Sequence, residues 1–195
     1  MVWTGADVAT DQGDVVARLT SQIAGGTEFI VPMGERSDPQ TVQFGNHVDT
    51  EPVGVLAWEA TRIASGIPRI GLDTDARTIP NEIGLYATHL DKGCYRGQET
   101  VARVHNLGRP PRRLTMLMLD GSDAELPDPG ASVILEGRKV GQLGGVAMHH
   151  ELGPVGLALL KRNVSVDSVL TVDGVAASQT ILVDPEVGLH VRPQL

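Results

Sequence analysis

The sequence predicts an α+β protein in which an α+β layer is followed by a small six-stranded β-barrel. Helix-like and strand-like segments alternate up to about residue 112, whereas the chain after Arg113 consists of short aliphatic and β-branched segments separated by turns. Paired prolines, Pro110 and Pro111, stand at this change, and proline interrupts both helices and strands. We therefore predict two domains, residues 1–112 and residues 113–195.

The first half is predicted to contain two helices and two short strands. Four apolar residues at helical spacing predict a helix that ends at Gly25-Gly26: Val15, Val16, Leu19 and Ile23. Short strands are predicted at 29–31 and 42–44. The second helix is expected to begin at a Thr50 cap and to end at Gly66, with an apolar stripe formed by Leu56, Ala60 and Ile63.

The middle of the chain is predicted to be an ordered loop followed by a short helix. Residues 67–90 are dense in Gly, Pro, Asp and Thr, which is typical of loops. A helix from about Gln98 to His105 would place the glycine-containing segment before it at a helix N-terminus, where the partial charge is positive.

Six short strands predict the barrel. They are expected at residues 114–119, 132–135, 139–142, 156–160, 169–172 and 179–183. Glu136-Gly137 and Asp173-Gly174 are hairpin turn signals, because glycine accepts the positive φ that tight turns require.

Composition limits the classes of function. Aromatic residues make up only 3% of the chain, which argues against a nucleic-acid stacking surface. The single cysteine excludes an internal disulfide, as expected in a reducing cytosol. Because no apolar run reaches the roughly 18 to 20 residues of a membrane span, we expect a soluble, cytoplasmic protein without a membrane partner.

Residues 91–99 hold this cysteine between two cations and two glycines. Lys92 and Arg96 each lie two residues from Cys94, and nearby cations and helix N-termini favour the thiolate. Gly93 and Gly97 permit a sharp turn that presents backbone N–H groups to an anion. The pattern predicts a binding loop with a reactive thiol, although a lone cysteine is more often an inert buried residue.

The same residues carry a family resemblance. The run Lys92, Gly93, Cys94, Tyr95, Arg96, Gly97, Gln98 and Glu99 resembles the signature of the YgfZ-type folate-binding proteins, which are relatives of the glycine cleavage T-protein. Residues 58–71 and 78–82 resemble the approach to that signature, and the similarity extends to the C-terminus. Because family members are usually longer, the resemblance implies a C-terminal portion with a partial T-protein-like fold.

The resemblance implies a tetrahydrofolate-binding accessory factor that supports iron–sulfur protein assembly or repair and, through it, tRNA modification. In this interpretation Cys94 is the key thiol, whether or not any reaction is catalysed. Arg62 matches an arginine of the T-protein folate pocket and is a candidate folate contact. Folate binding by this portion is expected to be weak or absent. The alternative is a folate-dependent aminomethyltransferase of the T-protein kind.

Other chemistries have weaker signals. Six basic residues and one acidic residue between Lys92 and Arg113 form an anion-binding candidate, and direct RNA binding there is a third, less favoured hypothesis. No metal site is predicted, because adjacent strand residues such as His149 and His150 point to opposite faces. One cysteine cannot hold an iron–sulfur cluster alone. A nucleophilic pair is a separate possibility, in which His89 or His105 would act as the base for Cys94.

Overall fold

The computed structural model describes residues 2–4, 17–20, 27–30, 54–85, 93–107, 109–122 and 125–186. Within these ranges, none of the helices combines the length and the apolar character needed to span a membrane.

The N-terminal described residues form a three-stranded antiparallel sheet. Its strands are β1 (Val2–Thr4), β2 (Ala17–Thr20) and β3 (Thr27–Ile30), in the order β1-β3-β2. The helix predicted across residues 15–23 is therefore wrong, because Ala17–Thr20 pairs with β3 along its whole length. Helical spacing is a weak local signal, and strand pairing in the tertiary structure overrides it. The strand predicted at 29–31 is confirmed at 27–30, and the one at 42–44 lies outside the described residues.

Helix α1 (Val55–Ala64) starts later than predicted. Gly54 is extended, and its carbonyl accepts the N–H groups of Ala57 and Trp58 at 3.1 and 3.3 Å, which places the first turn after Thr50. The predicted end is confirmed, since Gly66 has a φ of +71° just beyond the helix. Ala60 and Ile63 are buried as expected, but Leu56 is 78% exposed and is not part of the buried stripe.

Residues 67–85 form the described part of the ordered loop predicted at 67–90 and include a short 3-10 helix (Pro80–Ile83); residues 86–90 lie outside the described residues. Helix α2 (Gln98–Leu107) then begins at the predicted residue and runs two residues beyond the predicted end.

A closed antiparallel barrel of six strands follows, as predicted. Its order is β4-β7-β6-β5-β8-β9. The strands are β4 (Arg112–Leu119), β5 (Ser132–Leu135), β6 (Arg138–His149), β7 (Gly153–Lys161), β8 (Leu170–Val172) and β9 (Val175–Ile181).

Both predicted hairpin turns are confirmed. Glu136 and Gly137 have φ values of 50° and 76°, and Asp173 and Gly174 have φ values of 48° and 88°. Two consecutive residues with positive φ match the right-handed twist of the strands that they join.

The barrel strands bury both faces. Along β4, Leu117 and Leu119 belong to the core inside the barrel, whereas Leu114 and Met116 belong to a second core on its outer surface. Helix α1 packs on this outer face through Ala60 and Ile63. Because β4 already begins at Arg112, the proposed boundary at residues 112/113 falls inside a strand. The division into two independent domains stays a prediction.

Candidate functional site

The loop that contains Cys94 presents its thiol to solvent. Cys94 and Arg96 are exposed, while Tyr95 is half-buried. Lys92 lies outside the described residues. The interpretation of Cys94 as an inert buried side chain therefore fails, because reagents and partners can reach the sulfur. Its functional role stays a prediction.

A reciprocal turn holds this loop at the start of α2. The Gln98 N–H donates to the Tyr95 carbonyl at 3.2 Å, and the Tyr95 N–H donates to the Gln98 side-chain oxygen at 3.3 Å. Gly97 has a φ of +84°, and its carbonyl accepts the N–H groups of Thr100 and Val101. Gly93 does not share the positive φ. The glycine that the turn requires is thus Gly97, and the loop lies at a helix N-terminus as expected.

Arg62 lies in a buried ion-pair network. The side chains of Arg62 and Asp73 are 2% and 0% exposed, and Nη1 of Arg62 donates to Asp73 Oδ2 at 2.9 Å. Nε and Nη2 of Arg62 donate to Glu59 Oε2 at 3.1 and 2.8 Å, and Nη1 also donates to the Ile67 carbonyl. The guanidinium thus joins α1 to the loop that follows it, and it donates to none of the residues of the Cys94 loop that the structure describes (93–97). Folate contact by Arg62 stays a prediction.

Two consecutive glycines of strand β6 lie in contact with this network. The strand register between β6 and β7 shifts between Leu143 and Val146, so Gly144 and Gly145 form an irregularity in the ladder. The N–H of Gly145 donates to Asp73 Oδ1 at 2.5 Å. A Cβ atom on Gly145 would lie 2.6 Å from Nη2 of Arg62, so glycine is required for this close approach.

Arg112 forms a second network that connects the same loop to the barrel. Its guanidinium binds two carboxylates: Nη1 and Nη2 donate to Asp75 at 2.7 and 3.1 Å, and Nε and Nη2 donate to Glu82 at 2.9 and 2.8 Å. The hydrogen bonds from Arg112 lower the pKa of Asp75 below its usual range. Hydrogen bonds from Glu82 and then Asp75 raise the pKa of Arg112. Two forked pairs of this kind fix the loop geometrically as well as electrostatically.

The sequence analysis did not identify Asp73, Glu82 or Arg112 as partners. Asp73 and Arg62 are 11 residues apart, whereas Arg112 is 30 residues from Glu82 and 37 from Asp75. No local periodicity signals such pairs. One available signal was the Gly144-Gly145 pair, which lies just beyond the strand predicted at 139–142, because glycines in strands often mark a close backbone approach.

The histidine pair at the tip of the β6–β7 hairpin has a local role. His149 Nδ1 accepts the N–H groups of Glu151 and Leu152, both at 3.2 Å, so this ring closes the turn. Over the part of the chain that the structure describes, no three His, Cys, Asp or Glu side chains group as metal ligands. His89 lies outside the described residues, and so does the side chain of His105.

Comparisons with known proteins match the barrel to a domain family and other parts of the chain to three proteins. Residues 112–182 match the family model described as CAF17, C-terminal beta-barrel domain. A chloroplastic protein of Arabidopsis thaliana, named as a candidate transferase, is 37% identical over 93 residues, which are 47% of this chain and 21% of that protein. The tRNA-modifying protein YgfZ of Colwellia psychrerythraea is 36% identical over 80 residues, and that of Escherichia coli is 37% identical over 82 residues. Each YgfZ alignment covers 40% of this chain and 24% of the relative.

A solved structure shows the same fold. The glycine cleavage system aminomethyltransferase T from Bartonella henselae superposes with a TM-score of 0.51 at 18% identity, over 67% of this chain and 38% of that chain. The chain thus matches less than a quarter of the length of the curated relatives above and a minor part of the aminomethyltransferase. The comparisons confirm the resemblance inferred from the signature loop: residues 112–182 match the CAF17 C-terminal β-barrel domain, and part of the chain is similar to YgfZ-type proteins.

Proposed function

We propose that this chain provides the C-terminal portion of a tetrahydrofolate-binding accessory factor that supports iron–sulfur protein assembly or repair and, through it, tRNA modification. The observation that carries the proposal is the similarity, at 36% and 37% identity, to two proteins named as tRNA-modifying. The partners of such a factor would be iron–sulfur proteins or their assembly machinery.

The Cys94 loop supplies the chemistry in this proposal. Its thiol is exposed, lies before the first turn of α2 and has Arg96 two residues away. An exposed thiol in this position suits transient ligation or exchange with a partner. A stable cluster normally needs several protein ligands, so the partner or a small thiol would complete the coordination.

The two ion-pair networks suit a supporting role. Arg62 and Asp73 join α1 to strand β6, and Arg112 joins the 75–82 loop to strand β4. They hold the 67–82 segment, which precedes the Cys94 loop in the chain, against the barrel.

Tetrahydrofolate is expected to bind this chain weakly or not at all. Useful affinity for a small ligand requires most of its surface to be enclosed, and the part of this chain that aligns with each YgfZ relative covers 24% of that relative. Calorimetric titration of the 195-residue chain with tetrahydrofolate tests this expectation. Micromolar or tighter binding would contradict it.

The alternative, a folate-dependent aminomethyltransferase, rests on the fold alone. The aminomethyltransferase neighbour is 18% identical, and a fold hosts many functions. Measuring aminomethyl transfer to tetrahydrofolate separates the two candidates, and turnover would favour the alternative.

A chimera tests the accessory role directly. The matching C-terminal portion of Escherichia coli YgfZ would be replaced by the homologous residues of this chain and expressed in a strain that lacks YgfZ. We expect the chimera to restore the tRNA modifications that the strain loses and the Cys94→Ser chimera to fail. Arg138→Gln, at an exposed barrel residue, is the matched control and should restore them. Equal restoration by the Cys94→Ser chimera would contradict the role of the thiol.

A further inference from the structure

The tip of the β6–β7 hairpin contains two adjacent histidines with different surroundings. Strand β6 ends at His149, which pairs with Gly153 of β7, so residues 150–152 form the turn. Because His150 lies beyond the strand, its ring lies beside that of His149, with centroids 4.4 Å apart, and not on the opposite face as predicted. His149 is half-buried, whereas the side chain of His150 is 77% exposed.

His149 supplies the acceptor that organises this turn. Its Nδ1 accepts the backbone N–H groups of Glu151 and Leu152, both at 3.2 Å. An imidazole nitrogen accepts a hydrogen bond only when it carries no proton, so both bonds require neutral His149 with its proton on Nε2. Protonation places a third N–H group at Nδ1, facing the other two, and both hydrogen bonds are then lost.

None of the charged side chains described on the tip forms an ion pair with His149. The Glu151 carboxylate lies 3.8 Å from Nε2 of His150, which is the only histidine ion pair in the described part of the chain. Across the hairpin, β7 continues from Gly153 into Pro154, and neither residue titrates. The hydrogen bonds to Nδ1 are therefore the specific polar contacts that protonation of His149 changes.

The neighbouring elements do not add a partner for a charged His149 either. Helix α1, which packs on β6, carries Glu59 and Arg62, and these two bond to each other. Strand β5 carries no titratable side chain. At the end of β4, the Asp120 carboxylate accepts the N–H of Ser122.

Two exposed apolar side chains flank this turn. Met148 is 55% exposed and Leu152 is 41% exposed. The N–H of Leu152 is one of the two that His149 holds, so the closed turn fixes the backbone of Leu152 relative to the end of β6. Loss of the two hydrogen bonds would change the shape of this apolar tip while the barrel core stays in place.

We propose that His149 is a pH-sensitive switch of the hairpin tip. Neutral His149 closes the 150–152 turn, and protonated His149 releases it. Histidine is the side chain whose charge ordinarily changes between about pH 5 and 8, so the closed turn is present above this range and is lost below it. The switch is separate from the Cys94 loop and does not depend on the proposed accessory function.

Amide hydrogen exchange of the isotope-labelled full chain, followed by NMR, tests the proposal. Exchange rates are measured at about pH 7.5 and about pH 5, on either side of most of the histidine titration, and compared with those of an unstructured peptide at the same pH. We expect the protection of the Glu151 and Leu152 amides to fall about 2- to 10-fold at the lower pH, the factor that corresponds to one neutral hydrogen bond. The Asp173-Gly174 turn contains no histidine, and its amides should keep their protection. Equal protection of Glu151 and Leu152 at both pH values would overturn the proposal.

Three variants assign the response to one ring. His149→Asn should keep both amides protected at both pH values, because an asparagine side-chain oxygen accepts the same backbone N–H groups and does not titrate. His149→Phe removes the acceptor and should leave both amides unprotected at both pH values. His150→Phe is the matched control and should respond as wild type does. A pH response that persists in His149→Phe, or that disappears in His150→Phe, would assign the sensor to His150 and overturn the proposal.

Discussion

The carboxylate of Asp73 accepts the backbone N–H of Gly145 at 2.5 Å, while its other oxygen accepts Nη1 of Arg62 at 2.9 Å. One buried side chain thus joins helix α1, the loop after it and the longest strand of the barrel. The Cys94 loop follows this fastened segment in the chain.

Gly145→Ala should destabilise the protein by about 1–3 kcal/mol, because the added methyl group overpacks a closed contact. Its Cβ would lie 2.6 Å from Nη2 of Arg62. Urea unfolding followed by circular dichroism measures the change. Gly54→Ala adds the same methyl group where no atom lies within 4 Å, and it should cost much less. Equal effects of both variants would count against the close approach.

Arg62→Met should cost about 3–5 kcal/mol, because it removes one partner of a buried ion pair and leaves the Asp73 carboxylate uncompensated. Arg69→Met is the control: Arg69 is 53% exposed and pairs with Glu59 at the surface, so its loss should cost less than about 1 kcal/mol. The free energy of unfolding in urea separates the two. A loss for Arg62→Met as small as for Arg69→Met would contradict the structural role of Arg62.

Stability should fall in acid partly through Asp75. Its pKa is lower in the folded state, chiefly through hydrogen bonds from Arg112, so the ionised form stabilises the fold above the unfolded value of about 3.9. This contribution is lost as the pH falls through the folded pKa. We expect Asp75→Asn to flatten the dependence of unfolding free energy on pH below about 4. Asp128→Asn is the control, because this carboxylate is exposed and has no described ion pair, and it should leave the pH dependence unchanged. Identical slopes of unfolding free energy against pH in wild type and Asp75→Asn would contradict the expectation.

Cys94 should react with iodoacetamide in the native protein, since the side chain is exposed and is the only cysteine in the chain. Cys94→Ser should leave the unfolding free energy nearly unchanged. Mass spectrometry with and without denaturant measures the labelling, and reaction seen only after denaturation would overturn the interpretation of an accessible thiol.

Residues 113–195 are predicted to fold as a separable β-rich unit, and limited proteolysis should yield a stable C-terminal fragment. Cleavage alone should not separate the two pieces, because Ala60 and Ile63 of α1 cover an apolar outer face of the barrel that includes Leu157. We therefore expect the cleaved pieces to stay together on gel filtration until denaturant is added. Failure of any C-terminal fragment to accumulate would argue against a separable barrel.

The sequence by itself determined the features that depend on neighbouring residues. Gly66 ends α1 and Gly137 forms a hairpin turn, because glycine adopts positive φ without steric cost. The six aliphatic segments after Arg113 became six barrel strands in the predicted order along the chain. The signature residues around Cys94 also indicated the resemblance to YgfZ-type proteins, which the comparisons support.

Only the tertiary structure decided the features that depend on distant partners. Residues 17–20 have a helical pattern but pair with β3, and Leu56 continues an apolar stripe but faces solvent. The guanidinium of Arg62, the candidate folate contact, donates to Glu59, Ile67 and Asp73, and the sequence did not indicate these partners. Strand pairing, burial and ion pairing are set by which groups meet after the chain folds, and sequence spacing carries little information about contacts of that range.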